Sequence, residues 1–175
     1  SQSGAPILAL YVHDDESGGE WKPGSASRWW LRNSLASLRD ALDGALHIVH
    51  GDASKIIPRL VSDLDVGAVY WNRCVEPWRV AQDTAIKDAL LAAGNEVHTF
   101  NGAYLYDPSL ISKKDGTPYR VFTPYYRKGC LENGPAPREP LPTPADLSLH
   151  AELPDAAPDR DELLPAFPWF ENGAQ

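Results

Sequence analysis

The sequence contains no methionine, only two cysteines, no basic run and no long apolar stretch, and each absence narrows what the chain can be. Cys74 and Cys130 form no C-x-x-C pair, so neither a disulfide framework nor a zinc site is indicated, and a reduced, cytoplasmic setting is expected. With 16 basic against 24 acidic residues the formal net charge is −8. A chain of that sign, without a lysine or arginine stripe to track phosphates, is not expected to hold DNA by itself. No segment approaches the ~20 apolar residues that cross a bilayer, and the opening SQSGAP has neither the basic nor the apolar region of an export signal. No membrane association is expected. The lack of methionine leaves no visible initiator, so a start upstream of Ser1 is consistent with the sequence.

Several signatures of chemistry are missing too. No G-x-G-x-x-G follows a strand-like run, and there is no G-x-x-x-x-G-K-[ST], no G-x-S-x-G and no H-E-x-x-H. Dinucleotide, P-loop, hydrolase-elbow and zincin readings therefore lack support. The five histidines are scattered, and no metal site is expected from them.

What is present is alternation. The β-rich runs Ile7 to Val12, Leu46 to Val49, Ala68 to Trp71 and Glu96 to Phe100 alternate with helical patterns, as in a parallel sheet with crossover helices. Leu31, Leu35, Leu38 and Leu42 predict a first helix that opens at Ser25 or Ser27 and closes at Gly44. A second helix is expected to begin near Asp52, with Ile57, Leu60, Val61 and Leu64 towards the sheet. Pro58 should kink it or delay its start. In the third, Pro77 suits the first turn and Gly94 the stop. Its small-residue stripe Ala81, Ala85, Ala89, Leu90 and Ala93 is expected to pack closely on the sheet. Beyond Asn101 the pattern becomes loop-rich, with a helix opening at Thr123-Pro124. Nine of the 16 prolines fall in the last 41 residues, so 135–175 reads as an extended linker after a single domain at 1–134.

In open α/β sheets ligands bind beyond the carboxyl ends of the strands. Those ends carry His13-Asp14-Asp15, His50-Gly51-Asp52, Asn72 through Pro77, and Asn101-Gly102. Singly, these are turn and capping residues: Asp52 suits a helix N-cap and Glu76 complements a helix dipole. Of the adjacent Trp29 and Trp30, at least one cannot face the core and should line a surface, a ligand or another domain.

Three segments taken in order, ILALYVHDD, SASRWWLRNSLASL and AVYWNRCVEPWRVAQD, the last followed by GTPYRVFTPYYR, resemble the amino-terminal α/β domain of the photolyase and cryptochrome family. The resemblance covers nearly the whole chain. It implies a Rossmann-like parallel sheet with helices on both faces, in which the family's first, central strand has no counterpart here, so that two strands are expected to carry unpaired edges. It also implies an antenna pigment, 8-hydroxy-5-deazaflavin or methenyltetrahydrofolate, in some members a flavin. FAD, which splits pyrimidine dimers in UV-damaged DNA, would lie in a separate carboxy-terminal domain, the partner of this one, in a monomeric protein. Carried over by position, the pigment-binding candidates are Tyr11, His13 and Asp14 at the first strand end, Arg28 with Trp29, and Asn72, Cys74, Glu76 and Trp78 at the third. No catalytic residue is expected in this part of such a protein. Where folate-type members place an Asn-Glu pair this chain has Trp78-Arg79, and W-N-R-x-x-E-P is nearer to the deazaflavin-type members. A signalling cryptochrome without repair activity would share the same domain. A nucleotide-binding module of the universal-stress type is the alternative outside the family.

Overall fold

The structure, a computed structural model, describes residues 5–15, 17–102, 104–137, 139–144, 147–150 and 153. The strands are β1 (Ala9–His13), β2 (Leu46–His50), β3 (Ala68–Asn72) and β4 (Glu96–Phe100). The helices are α1 (Ser25–Ala41), α2 (Ala53–Asp63), α3 (Pro77–Ala92) and a short α4 (Phe122–Pro124) that runs on into a π-helical stretch, Tyr125–Glu132. The chain divides into two compact units. The first comprises the described residues of Ser1–Val69, Val75–Val97 and Pro144–Gln175, and the second those of Tyr70–Cys74 and His98–Thr143.

In the first unit β1 and β2 run parallel, with Ala9 opposite Leu46 and His13 opposite His50. Successive side chains on a strand point to opposite faces, and here both faces are covered. On one, Ala9, Tyr11, Leu46 and Ile48 pack with Leu31, Leu35 and Leu42 of α1. On the other, Leu8, Leu10, Val12 and Val49 pack with Ile56, Leu60 and Leu64 of α2, joined by Leu153. A strand buried on both sides requires a nearly continuous apolar run, and ILALYV supplies one. The expected helices on both faces of a parallel sheet are thus present.

β3 and β4 form a second two-stranded sheet. Glu96 N–H donates to Gly67 C=O at 2.9 Å near their start and Arg73 N–H to Phe100 C=O at 2.8 Å at their end, so this pair is parallel too. β1 bonds only to β2, and β3 only to β4. Among the described residues each strand therefore has a strand partner along one edge only.

Local chemistry sets the helix ends. The Asp52 carboxylate accepts from Ser54 N–H at 2.9 Å and caps α2. Pro77 occupies the first turn of α3, where its missing N–H costs nothing. After α1 the chain turns through Asp43 and Gly44 at φ 50° and 84°, a left-handed conformation that glycine tolerates best.

Four expectations are corrected. α2 does not start late at Pro58: it begins at Ala53 with the proline inside it, because the Asp52 cap and the burial of Ala53, Ile56, Leu60 and Val61 fix its first turns. The alanine stripe of α3 faces outwards. Ala81, Ala85, Ala89 and Ala93 are exposed, while Ile86 and Leu90 are buried and α3 packs against α2. Leu38 lies at the margin of the α1 stripe and is 47% exposed. The last helix opens at Phe122, one residue before Thr123.

Within the proline-rich stretch, Ile7 N–H donates to Ser148 C=O at 2.7 Å and His150 N–H to Ile7 C=O at 2.9 Å, and Leu153 is buried. These bonds tie Ser148 and His150 to Ile7, just before β1.

Leu60 is 2% exposed between α2 and the sheet. Leu60→Ala should cost about 2–5 kcal/mol in chemical denaturation, whereas Leu38→Ala should stay within about 0.5 kcal/mol of the parent.

Candidate functional site

β1 delivers His13 to the carboxyl end of the sheet, and Asp14 and Asp15 follow it into the loop. His13 is 7% exposed, with Nε2 3.1 Å from Asp15 Oδ2. The same oxygen accepts from Arg28 Nη1 of α1 at 2.6 Å, and Arg28 Nε donates to Pro23 C=O at 3.0 Å, which fixes the guanidinium. The Tyr11 ring stacks near His13 with centroids 6.4 Å apart, and His50 meets His13 edge-on at 5.0 Å.

Asp14 is held differently. Its Oδ1 accepts from Ser17 N–H at 2.9 Å. Its Oδ2 accepts from Ser17 Oγ at 2.6 Å, Gln82 Nε2 of α3 at 2.8 Å and Ala53 N–H, in the first turn of α2, at 3.4 Å. Partial burial pushes its pKa upwards, but these donors outweigh that and bring it down to about 2. For Asp15 burial again acts upwards and is outweighed by Arg28 and His13, so its pKa is also lowered. Burial raises that of Tyr11.

Two acceptors of this cluster, Asp15 Oδ1 and Gln82 Oε1, are buried without a hydrogen-bond partner among the described residues. Trp78 lies in the first turn of α3 near Gly18, with Arg79 stacked 5.0 Å from its ring centroid.

The structure thus joins Tyr11, His13 and Arg28 around Asp15, and ties Asp14 separately to Ser17, Gln82 and Ala53. It adds residues that the sequence reading did not carry forward: Asp15, Ser17, His50 and Gln82. Gln82 had a detectable signal, since it lies one turn beyond Trp78 on the same side of α3. Other candidates stand apart from these contacts. Glu76 is the exposed N-cap of α3, and its side chain accepts from Val75 N–H at 3.2 Å. Trp29 is half-buried and pairs with Trp30 at 6.4 Å. Both line a shallow groove of about 530 Å³ along α1, and Trp30 is 70% exposed. In the second unit Asn72 is exposed, and its side chain fills the space that a Cβ at Gly102 would need. Cys74 is half-buried there, and Arg73 pairs with Asp107 at 2.5 Å.

The first unit is thus an α/β domain with a polar cluster at the carboxyl end of β1. The family model described as DNA photolyase matches residues 1–145, and the chain belongs to that photolyase and cryptochrome family. It is similar to the deoxyribodipyrimidine photo-lyase of Agrobacterium fabrum, with 36% identity over 150 residues, 84% of this chain and 30% of that protein. Cryptochrome-1 of Arabidopsis thaliana is 32% identical over 146 residues, 81% of this chain and 21% of that one. Among solved structures, a bacterial class III photolyase from Agrobacterium tumefaciens superposes with a TM-score of 0.76 at 34% identity, over 87% of this chain and 31% of that one. The chain therefore spans a third or less of the length of these relatives.

Asp14 gives a prediction whose sign follows from its depressed pKa. A carboxyl that ionises more easily folded than unfolded adds stability above its unfolded pKa, near 4, and loses it as pH falls through the folded value of about 2. Asp14→Asn also turns an amide donor towards Gln82 Nε2. The variant should melt at a lower temperature than the parent at pH 7, and the gap should narrow steadily between about pH 4 and pH 2.

Proposed function

We propose that this chain is the light-harvesting domain of a DNA photolyase, holding a planar antenna pigment at the carboxyl end of β1. The observation that carries the reading is the pair of buried acceptors, Asp15 Oδ1 and Gln82 Oε1, on residues held at the strand end where the rings of Tyr11 and His13 stack. A buried acceptor without a donor costs about 1–3 kcal/mol, so such a site favours a ligand that brings N–H groups. Pterin and deazaflavin rings carry N–H groups on a flat edge, and these acceptors suit them. When bound, the pigment supplies absorption of near-UV and blue light. The chain's own residues orient it: Asp15 and Gln82 accept from its edge, Arg28 keeps Asp15 ionised and pairs with an anionic tail, and the rings exclude water from its faces. Glu76 and Trp29, in the same unit, are assigned to the periphery of the pigment region.

In the full-length protein excitation passes to FAD in a carboxy-terminal domain, which splits cyclobutane pyrimidine dimers by electron transfer. DNA is then a partner of that domain, which accords with the net charge of −8 here. Among the described residues no helix is long and apolar enough to cross a membrane. We assign the protein to the cytoplasm as a monomer.

The test is an absorbance spectrum of purified full-length protein together with a dimer-repair assay. Oxidised flavin, a second antenna band and light-dependent repair are expected. Absence of flavin would overturn the reading, and flavin without repair would favour a signalling cryptochrome. The 175 residues alone should split no dimers under blue or near-UV light. In the full-length protein Gln82→Leu should lower pigment occupancy by about fivefold, the value of one hydrogen bond, and leave repair driven by light that FAD absorbs directly. Unchanged occupancy would remove Gln82 from the pigment site.

A further inference from the structure

The short α4 and the π-helical stretch after it carry two faces of different character. Gly129 and Cys130 are buried, and the Tyr119 ring meets that of Tyr125 edge-on at 6.2 Å. A Cβ at Gly129 would stand 2.7 Å from Ile111 and 3.0 Å from Tyr119, so the helix sits close on both. Ile111 and Tyr119 bracket the turn that carries Lys113 and Lys114, which Lys113 N–H closes on Thr117 C=O at 2.9 Å, and that turn is therefore held beside the helix.

Phe122 and Tyr126, one turn apart, lie outside this packing. Their ring centroids are 5.7 Å apart and the planes 4° from parallel, while Phe122 is 73% exposed and Tyr126 45%. The two rings form a stack whose Phe122 end is open to solvent. Between residues 113 and 128 stand Lys113, Lys114, Arg120, Arg127 and Lys128, all exposed, against one acid, Asp115, in a chain whose net charge is −8. Arg120, Arg127 and Lys128 enter no ion pair among the described residues. The total charge hides a local excess of the opposite sign.

Such a surface suits a ligand with repeated negative charge and flat rings that continue a stack. An apolar protein segment would cover Phe122 but leave the cations buried without counterions, and duplex DNA keeps its bases stacked on one another. A single strand offers both groups, phosphates for the cations and unstacked bases for the rings. We propose that Phe122 and Tyr126, with Arg120, Arg127 and Lys128, form a binding surface for single-stranded nucleic acid of low sequence preference. Phe122 takes a base on its open face, Tyr126 backs that ring, and the cations hold the flanking phosphates. All five residues belong to the second unit, and none is among those assigned to the pigment.

Fluorescence anisotropy of a labelled oligothymidylate, titrated with the 175-residue chain, tests this. Affinity should fall about fiftyfold between roughly 50 and 200 mM salt, as release of counterions from about four phosphates requires. An abasic strand of the same length keeps the phosphates and lacks the rings, and should bind about tenfold more weakly. Phe122→Ala should cost a similar factor for the thymidylate and nothing for the abasic strand. Arg127→Gln combined with Lys128→Gln should lower affinity for both strands and flatten the salt dependence. These side chains are exposed, so both variants should melt with the parent. Absence of binding at low salt overturns the proposal. So does equal affinity for the abasic strand or for polyglutamate of the same length, which would mean attraction by charge alone, and so does thymidylate binding that Phe122→Ala leaves unchanged.

Discussion

The burial of β1 on both faces is the constraint from which the first unit follows. Odd residues serve the cluster under α1 and even residues the cluster under α2, so a slip of one residue would exchange Tyr11 for Leu10 and put each set against the wrong helix. Pairing of Ala9 with Leu46 and His13 with His50 holds the register. Fully buried Val49 and the nearly buried Leu60 each contribute about 1.5–3 kcal/mol through removal from water. That is enough to make the position of the strand, and so of its carboxyl end, close to invariant.

A fixed strand end converts packing into site geometry. Three helices deliver groups there: α1 brings Arg28, α2 its N-terminal Ala53 amide and α3 Gln82. None of the three approaches β1 for electrostatic reasons alone. α1 and α2 are placed by their leucine and isoleucine faces, and α3 by Ile86 and Leu90 with α2 as its support. The carboxylates stay ionised in this half-buried mouth because the helices supply donors at the required distances. Loss of packing would therefore be felt as loss of charge organisation.

Much of this was legible in the sequence, for identifiable reasons. The leucine spacing of α1, Pro77 and Gly94 around α3 and Asp52 before α2 are local signals whose causes lie within a few residues, and each marks an element where it was expected. The alanine stripe of α3 misled because periodicity defines faces but does not say which one is buried. Small residues suit either, and Ile86 with Leu90 decides. His13, Asp14 and Arg28 were legible as strand-end and motif residues. Their connection through Asp15 and Gln82 was not, since Gln82 reaches Asp14 across 68 positions and no local pattern encodes that encounter.

The network also separates two aspartates that look equivalent in the sequence. Both oxygens of Asp14 are engaged by donors from its own loop, α2 and α3, and the carboxylate acts as the knot that ties these elements to the end of β1. Asp15 places one oxygen between Arg28 and His13 and keeps the other buried without a donor. An anchor whose valences are filled has nothing left to offer a ligand, whereas a carboxylate oriented by a cation through one oxygen presents the other in a fixed direction. On the proposed reading, recognition would therefore fall to Asp15 and Gln82, while Asp14 holds the loop and α3 in place.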